Sequence, residues 1–113
     1  MHVDDLVQAC LAAALNPQVR GIYNVSDGNS CNMTEFLRLV AALAELPMPP
    51  EIPMDEAQLS YSPEFLSYLD ESRRIDNTRM RTELGVQLRY ADLQQGITAS
   101  LAEQAEYAAR CRK

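Results

Sequence analysis

Apolar residues recur at helical spacing near the start of the chain. Leu6, Cys10 and Ala14 form one ridge, and Val7, Leu11 and Leu15 form the next. This pattern predicts a first helix over residues 4–15. Asp4 or Asp5 is expected to cap it, and Asn16-Pro17 to end it. Gly21-Ile22-Tyr23-Asn24-Val25-Ser26 then reads as a short strand, followed by Gly28-Asn29-Ser30 turn chemistry. A second helix is predicted over 33–45. Asn32 and Glu35 are spaced as a capping box, and Phe36, Val40 and Leu43 share a face with Leu37 and Ala44 beside them. Pro47, Pro49, Pro50 and Pro53 then hold the chain extended, with Glu51-Ile52 as a short edge strand or a plain connector.

The second half carries shorter elements. A helical turn is expected over 55–60. Ser62 and Pro63 mark a helix start as cap and first helical residue, and Phe65, Leu66 and Leu69 supply its apolar side. Arg73-Arg74-Ile75 reads as extended. Asn77 or Asp76 caps a short helix with Met80 and Leu84 on one face and Gly85 at its end. Cys10 and these apolar positions are the expected core. Val86, Leu88 and Tyr90 alternate, as in a strand. Asp92 with Gln95 opens a last helix striped by Leu93, Ile97, Leu101 and Ala105, in which Gly96 allows a close approach. Its basic end, Arg110-Cys111-Arg112-Lys113, suits a helix C-terminus. The expected fold class is α+β (mixed α/β), helix-dominated, with a small sheet of two or three short strands. Strand 21–26 is its firmest member, with 50–53 and 73–75 as pairing candidates.

The 113 residues make a single domain over 1–113, and their 47% hydrophobic content suits a folded chain. The net charge of −6 argues against a duplex nucleic-acid surface. That charge lies wholly in residues 1–60, with eight acids against two bases, whereas residues 61–113 carry eight of each. Arg73, Arg74, Arg79 and Arg81 could face an anionic ligand or form a solvated, ion-paired surface. Three cysteines without a C-x-x-C pair give neither a disulfide framework nor a zinc spacing. Cys31 beside a helix start is placed for a lowered pKa but has no partner base. With no signal peptide and no apolar run long enough for a membrane span, the reading is a cytoplasmic protein.

Catalytic patterns are missing. The four glycines are scattered and match neither G-x-G-x-x-G nor a Walker loop. No G-x-S-x-G occurs. The paired acids Asp4-Asp5, Asp55-Glu56 and Asp70-Glu71 sit at helix boundaries, where acids suit the dipole. No tyrosine is followed by a lysine four positions on. His2 is the only histidine, and beside Asp4 it reads as a bystander rather than a metal ligand. The expectation is no catalytic residue and no metal.

The order of motifs resembles one family. His2-Val3-Asp4-Asp5-Leu6 is similar to the HVDDL segment of NAD-dependent epimerases and dehydratases, the extended short-chain dehydrogenase/reductase family. Gly21-Ile22-Tyr23-Asn24-Val25-Ser26-Asp27 resembles its G-x-Y-N-V strand. Ser72-Arg73-Arg74-Ile75-Asp76-Asn77 to Glu83-Leu84-Gly85 resembles its later arginine segment, and Leu88-Arg89-Tyr90 with Gln95-Gly96-Ile97 its tail. The resemblance covers only the family's C-terminal, substrate-binding portion. It implies a fragment without the N-terminal Rossmann half, where the NAD or NADP loop and the catalytic Tyr-x-x-x-Lys reside. The chain would then bind no cofactor itself. A nucleotide-sugar or related small molecule would be the ligand of a full-length parent. Arg73 and Arg74 would be the substrate-binding candidates, since guanidinium suits phosphate.

A first helix that begins almost at residue one reads as entry into the middle of a longer chain. Bare apolar faces on helix 4–15 and strand 21–26 are expected where the Rossmann half would pack, and a homodimer or larger assembly is expected to cover them. The competing reading is a free-standing small interaction or regulatory domain without enzymatic activity.

Overall fold

Capping side chains set most of the helix starts, and the described residues contain six helices. The computed structural model describes residues 1–111. Helix α1 spans Val3–Leu15, α2 Met33–Leu43, α3 Met54–Ser60, α4 Pro63–Asp70, α5 Thr78–Thr82 and α6 Leu93–Arg110. The capping box of α2 forms as expected. The Asn32 side chain accepts from the Glu35 amide at 2.8 Å, and Glu35 accepts from the Asn32 amide at 3.1 Å. Ser62 and Asp92 cap α4 and α6. Helix α2 ends in a Schellman arrangement, with the Leu46 amide bonded to the Ala41 carbonyl and Glu45, at φ 54°, in the left-handed position usually held by glycine. Arg112 and Lys113, part of the basic end expected for α6, lie outside the described residues.

The first helix departs from expectation. Its cap is His2, whose Nδ1 accepts from the Asp4 amide at 3.2 Å, and not Asp4 or Asp5. Asp5 and Ala9 turn inward and are buried, whereas Val3, Leu6, Val7, Leu11 and Leu15 turn outward. Cys10, expected in the core, is exposed.

No strand occurs among the described residues, and this corrects the expected small sheet of an α+β chain. The reason lies in what bonds the main chain of the strand-like segments. Side chains take the place of a neighbouring strand. Arg79 Nη1 donates to the Ile22 carbonyl at 2.8 Å, and Asn77 Nδ2 donates to the Ser26 carbonyl at 2.8 Å. In the alternating segment, the Gln87 amide donates to Gln8 Oε1 at 2.9 Å. The Arg89 and Tyr90 amides donate to the two Asp5 carboxylate oxygens at 2.8 and 3.0 Å. A sheet needs main-chain partners on an adjacent strand. Here helices α1 and α5 supply side-chain acceptors and donors instead. Residues 50–53 and 73–75 pair with nothing in a ladder either.

The core is small. Ala9, Met80 and Val86 are its buried centre, with Ala12, Val25, Leu84 and Leu88 packed around them. Gly85, at φ 69°, makes the turn that brings Val86 back under Met80. Helix α2 packs on α6. Helices α3 and α4 form a hairpin of their own, with Tyr61 and Phe65 ring centroids 5.2 Å apart. The radius of gyration is 17.7 Å, against about 13 Å for a compact chain of this length. The molecule is open and flattened, 51 × 42 × 23 Å.

Candidate functional site

Arg73 lines a surface groove. One wall is Cys31, Asn32 and Met33 at the start of α2, and the other is the end of α4 and the chain from Tyr68 to Arg73. The cavity volume is about 490 Å³. An exposed guanidinium beside a helix N-terminus favours an anion. Two carboxylates moderate this. Glu71 pairs with Arg73 at 2.8 Å, and Glu35 closes the capping box. An anionic ligand would therefore have to displace Glu71 from Arg73. Arg74 is exposed and does not line this groove, so the structure separates the two arginines proposed together. Adjacent residues of a non-helical stretch point to opposite sides, which is the physical reason.

A second cluster joins the 21–26 segment to α5. Arg79 forks onto Glu83 with two bonds of 2.7 Å, lies 4.5 Å over the Tyr23 ring and holds the Ile22 carbonyl. The Tyr23 hydroxyl donates to Glu83 at 2.9 Å. The Arg79 bonds and the Tyr23 hydroxyl hold the Glu83 carboxyl down at about 2. The cluster's donors and acceptors are thus committed to each other, and its work is to bind two segments together. The stability it lends is fully present above the ordinary glutamate range, near 4.5, and is lost as pH falls through about 2. Glu83→Gln should therefore destabilise the protein at neutral pH, and the gap between variant and parent should close on acidification. Urea unfolding at a series of pH values measures this; a gap that stays constant with pH would contradict it.

His2, read from the sequence as a bystander to metal chemistry, has a structural task as the cap of α1. Its side chain is buried, and its ring stacks on Tyr90 at 4.1 Å. Nε2 is buried with no hydrogen-bond partner, 3.7 Å from Glu103. His2, Asp4 and Glu103 gather potential ligand atoms within 4.8 Å of one another. However, Nδ1 uses its lone pair on the Asp4 amide, so the neutral ring carries its proton on Nε2. Neither nitrogen then offers a metal a free lone pair. The arrangement is a helix cap packed on an aromatic ring. The available signal was position: His2 immediately precedes the first helical residue, where a capping acceptor belongs.

An apolar cleft of about 260 Å³ lies between α2 and α6, lined by Phe36, Val40, Leu93, Ile97 and Leu101, with Asp27 at its edge. Among the described residues no helix is long and apolar enough to cross a membrane.

No family model and no curated protein matches the chain. A solved structure does, that of a functionally unknown conserved protein from Silicibacter pomeroyi DSS. It is 32% identical, with a TM-score of 0.79 over 92% of the present chain. The match spans 37% of the length of that solved chain. The likeness establishes a shared fold for the unit described above.

Proposed function

We propose that this chain is the C-terminal, substrate-binding part of an NAD(P)-dependent nucleotide-sugar epimerase or dehydratase, and that it is not catalytic alone. The observation that carries the reading is how the four family-like segments are joined. Asp5 of the first segment holds the Arg89 and Tyr90 amides of the last. Ser26 and Ile22 of the second are held by Asn77 and Arg79 of the third. The segments are thus bonded in two pairs, first with last and second with third, and Val25, Met80, Leu84 and Leu88 bring the pairs to a common core. That is a physical reason for them to occur together, in this order, in a family.

On this proposal the nicotinamide chemistry belongs to the parent protein outside this unit. Gly21, Gly28 and Gly85 adopt positive φ singly, and none forms a phosphate-cradling turn into a helix. On this proposal these residues hold no dinucleotide. Their contribution would be recognition, with Arg73 exchanging Glu71 for the pyrophosphate of the sugar nucleotide.

Titration of UDP-glucose into the purified chain tests the reading. A rise in melting temperature that Arg73→Ala abolishes is expected, together with no rise on adding NAD. A clear NAD-induced rise, or no response to the sugar nucleotide at millimolar concentration, would overturn it. An immunoblot of the source cell adds a second test. A band much heavier than 12.7 kDa is expected, whereas a band at that mass would favour the free-standing module.

A further inference from the structure

We infer that His2 is a proton-operated switch at the start of α1. Neutral, it caps the helix; protonated, it gives up the cap and pairs with Glu103 of α6. This inference does not rest on the functional reading above. The choice of cap is its first support. Asn, Asp, Ser and Thr keep an acceptor oxygen across the neutral range. Imidazole does not. Nδ1 of His2 accepts from the Asp4 amide at 3.2 Å with the one lone pair that a second proton would take. A proton there turns Nδ1 from acceptor to donor, and the Asp4 amide then faces another donor. The cation also meets the positive end of the helix dipole. Both effects push the protonated ring away from the first turn of α1.

The other ring nitrogen supplies the second support. Nε2 is buried with no hydrogen-bond partner. An orphaned donor in such a place is costly. Glu103 Oε1 lies 3.7 Å away, just beyond hydrogen-bond distance. The Glu103 side chain is half exposed, so it is free to close that gap. A charged donor facing a carboxylate makes a stronger bond than a neutral one. Protonation thus weakens the hold of the ring on α1 and strengthens its hold on α6.

The other charged groups around the ring are already engaged. Asp4 Oδ2 is 3.9 Å from Nδ1, but the same oxygen faces Arg89 at 3.4 Å, and that guanidinium offsets its pull on a second cation. Asp5 holds the Arg89 and Tyr90 amides. Tyr90 stacks on the ring at 4.1 Å, with the Arg89 guanidinium 5.3 Å from the Tyr90 centroid. Asp92 accepts from the Gln95 amide, and the Met1 amine pairs with Asp27 at 2.9 Å. Among the described residues, Glu103 is the carboxylate near the ring with no other partner.

NMR of the isotope-labelled chain tests this from about pH 8 to about pH 5, the range in which histidine changes charge. His2 is the only histidine. Its ring and the Asp4 amide are expected to titrate with one midpoint while the rest of the spectrum keeps its dispersion. His2→Asn keeps a capping acceptor and removes the proton site, so its Asp4 amide should not titrate in this range. An α-amino group also changes charge there, and a step that persists in His2→Asn would belong to Met1. Glu103→Gln changes a half-exposed site and should fold like the parent, but reach the same change only at lower pH. Four results would each overturn the inference: an Asp4 amide that stays fixed while the ring titrates, a step that persists in His2→Asn, a Glu103→Gln midpoint equal to the parent's, or loss of dispersion across the whole chain at that midpoint. None of them bears on the nucleotide-sugar titration.

Discussion

Asp5→Ala is expected to lower stability by about 2–5 kcal/mol, the largest loss from any single truncation in this chain. Asp5 has no exposed surface, and each of its carboxylate oxygens accepts one main-chain amide, from Arg89 and Tyr90. Alanine would leave both amides without a partner in a place that water reaches poorly. Each orphaned donor costs about 1–3 kcal/mol. A small domain has about 5–15 kcal/mol in total, so the variant would sit near the edge of folding. Asp5→Asn keeps one oxygen and should lose about half as much. Equilibrium urea unfolding provides the measurement. A loss below about 1 kcal/mol for Asp5→Ala would mean that the 87–90 segment finds other partners.

Met80→Ala comes next, at about 2–5 kcal/mol. Met80 is the largest fully buried apolar side chain, and it sits between Ala9 and Val86 at the centre of a thin core. Its buried neighbours Ala9 and Val86 are small or β-branched and cannot fold in to fill the space, so much of the cavity would persist. The comparison is Leu59→Ala. Leu59 is 88% exposed, and its truncation should change stability by less than about 0.5 kcal/mol. The difference between the two urea midpoints tests the core assignment. Equal effects would mean that the buried centre lies elsewhere.

Local chemistry was legible in the sequence wherever a residue acts on its own neighbours. Asn32 with Glu35, Ser62 with Pro63 and Asp92 with Gln95 set helix starts that the structure contains. Met80 and Gly85 also read correctly. Alternation at Val86, Leu88 and Tyr90 did not, because a period of two reports which side chains are buried and not what bonds the main chain. Whether such a segment joins a sheet depends on its neighbour across space, and here that neighbour is helix α1. The same distance in sequence, 84 positions between Asp5 and Arg89, hid the role of Asp5. Helix α1 misled in another way. Its large apolar residues were natural candidates for the inner face, yet its inner face is Asp5 and Ala9. A carboxylate there is sensible only once the amides it receives are known. For the candidate site, Arg73 and the start of α2 were both visible, but their meeting in one groove depends on the path of the chain between them.

The way Asp5 and Gln8 hold residues 87–90 also governs which changes of length this chain can tolerate. Two acceptors one helical turn apart address main-chain donors at fixed positions, so they act as a ruler. One residue added or removed between Val86 and Tyr90 would put the wrong amides opposite that ruler and break its register with the three amides of Gln87, Arg89 and Tyr90. The proline-rich connector of residues 47–53 has no such main-chain ruler; it is tied to α2 by one exposed side-chain pair, Arg38 with Glu51, which can re-form after a change of length. In a set of natural variants, insertions and deletions should gather in that connector and avoid 86–90.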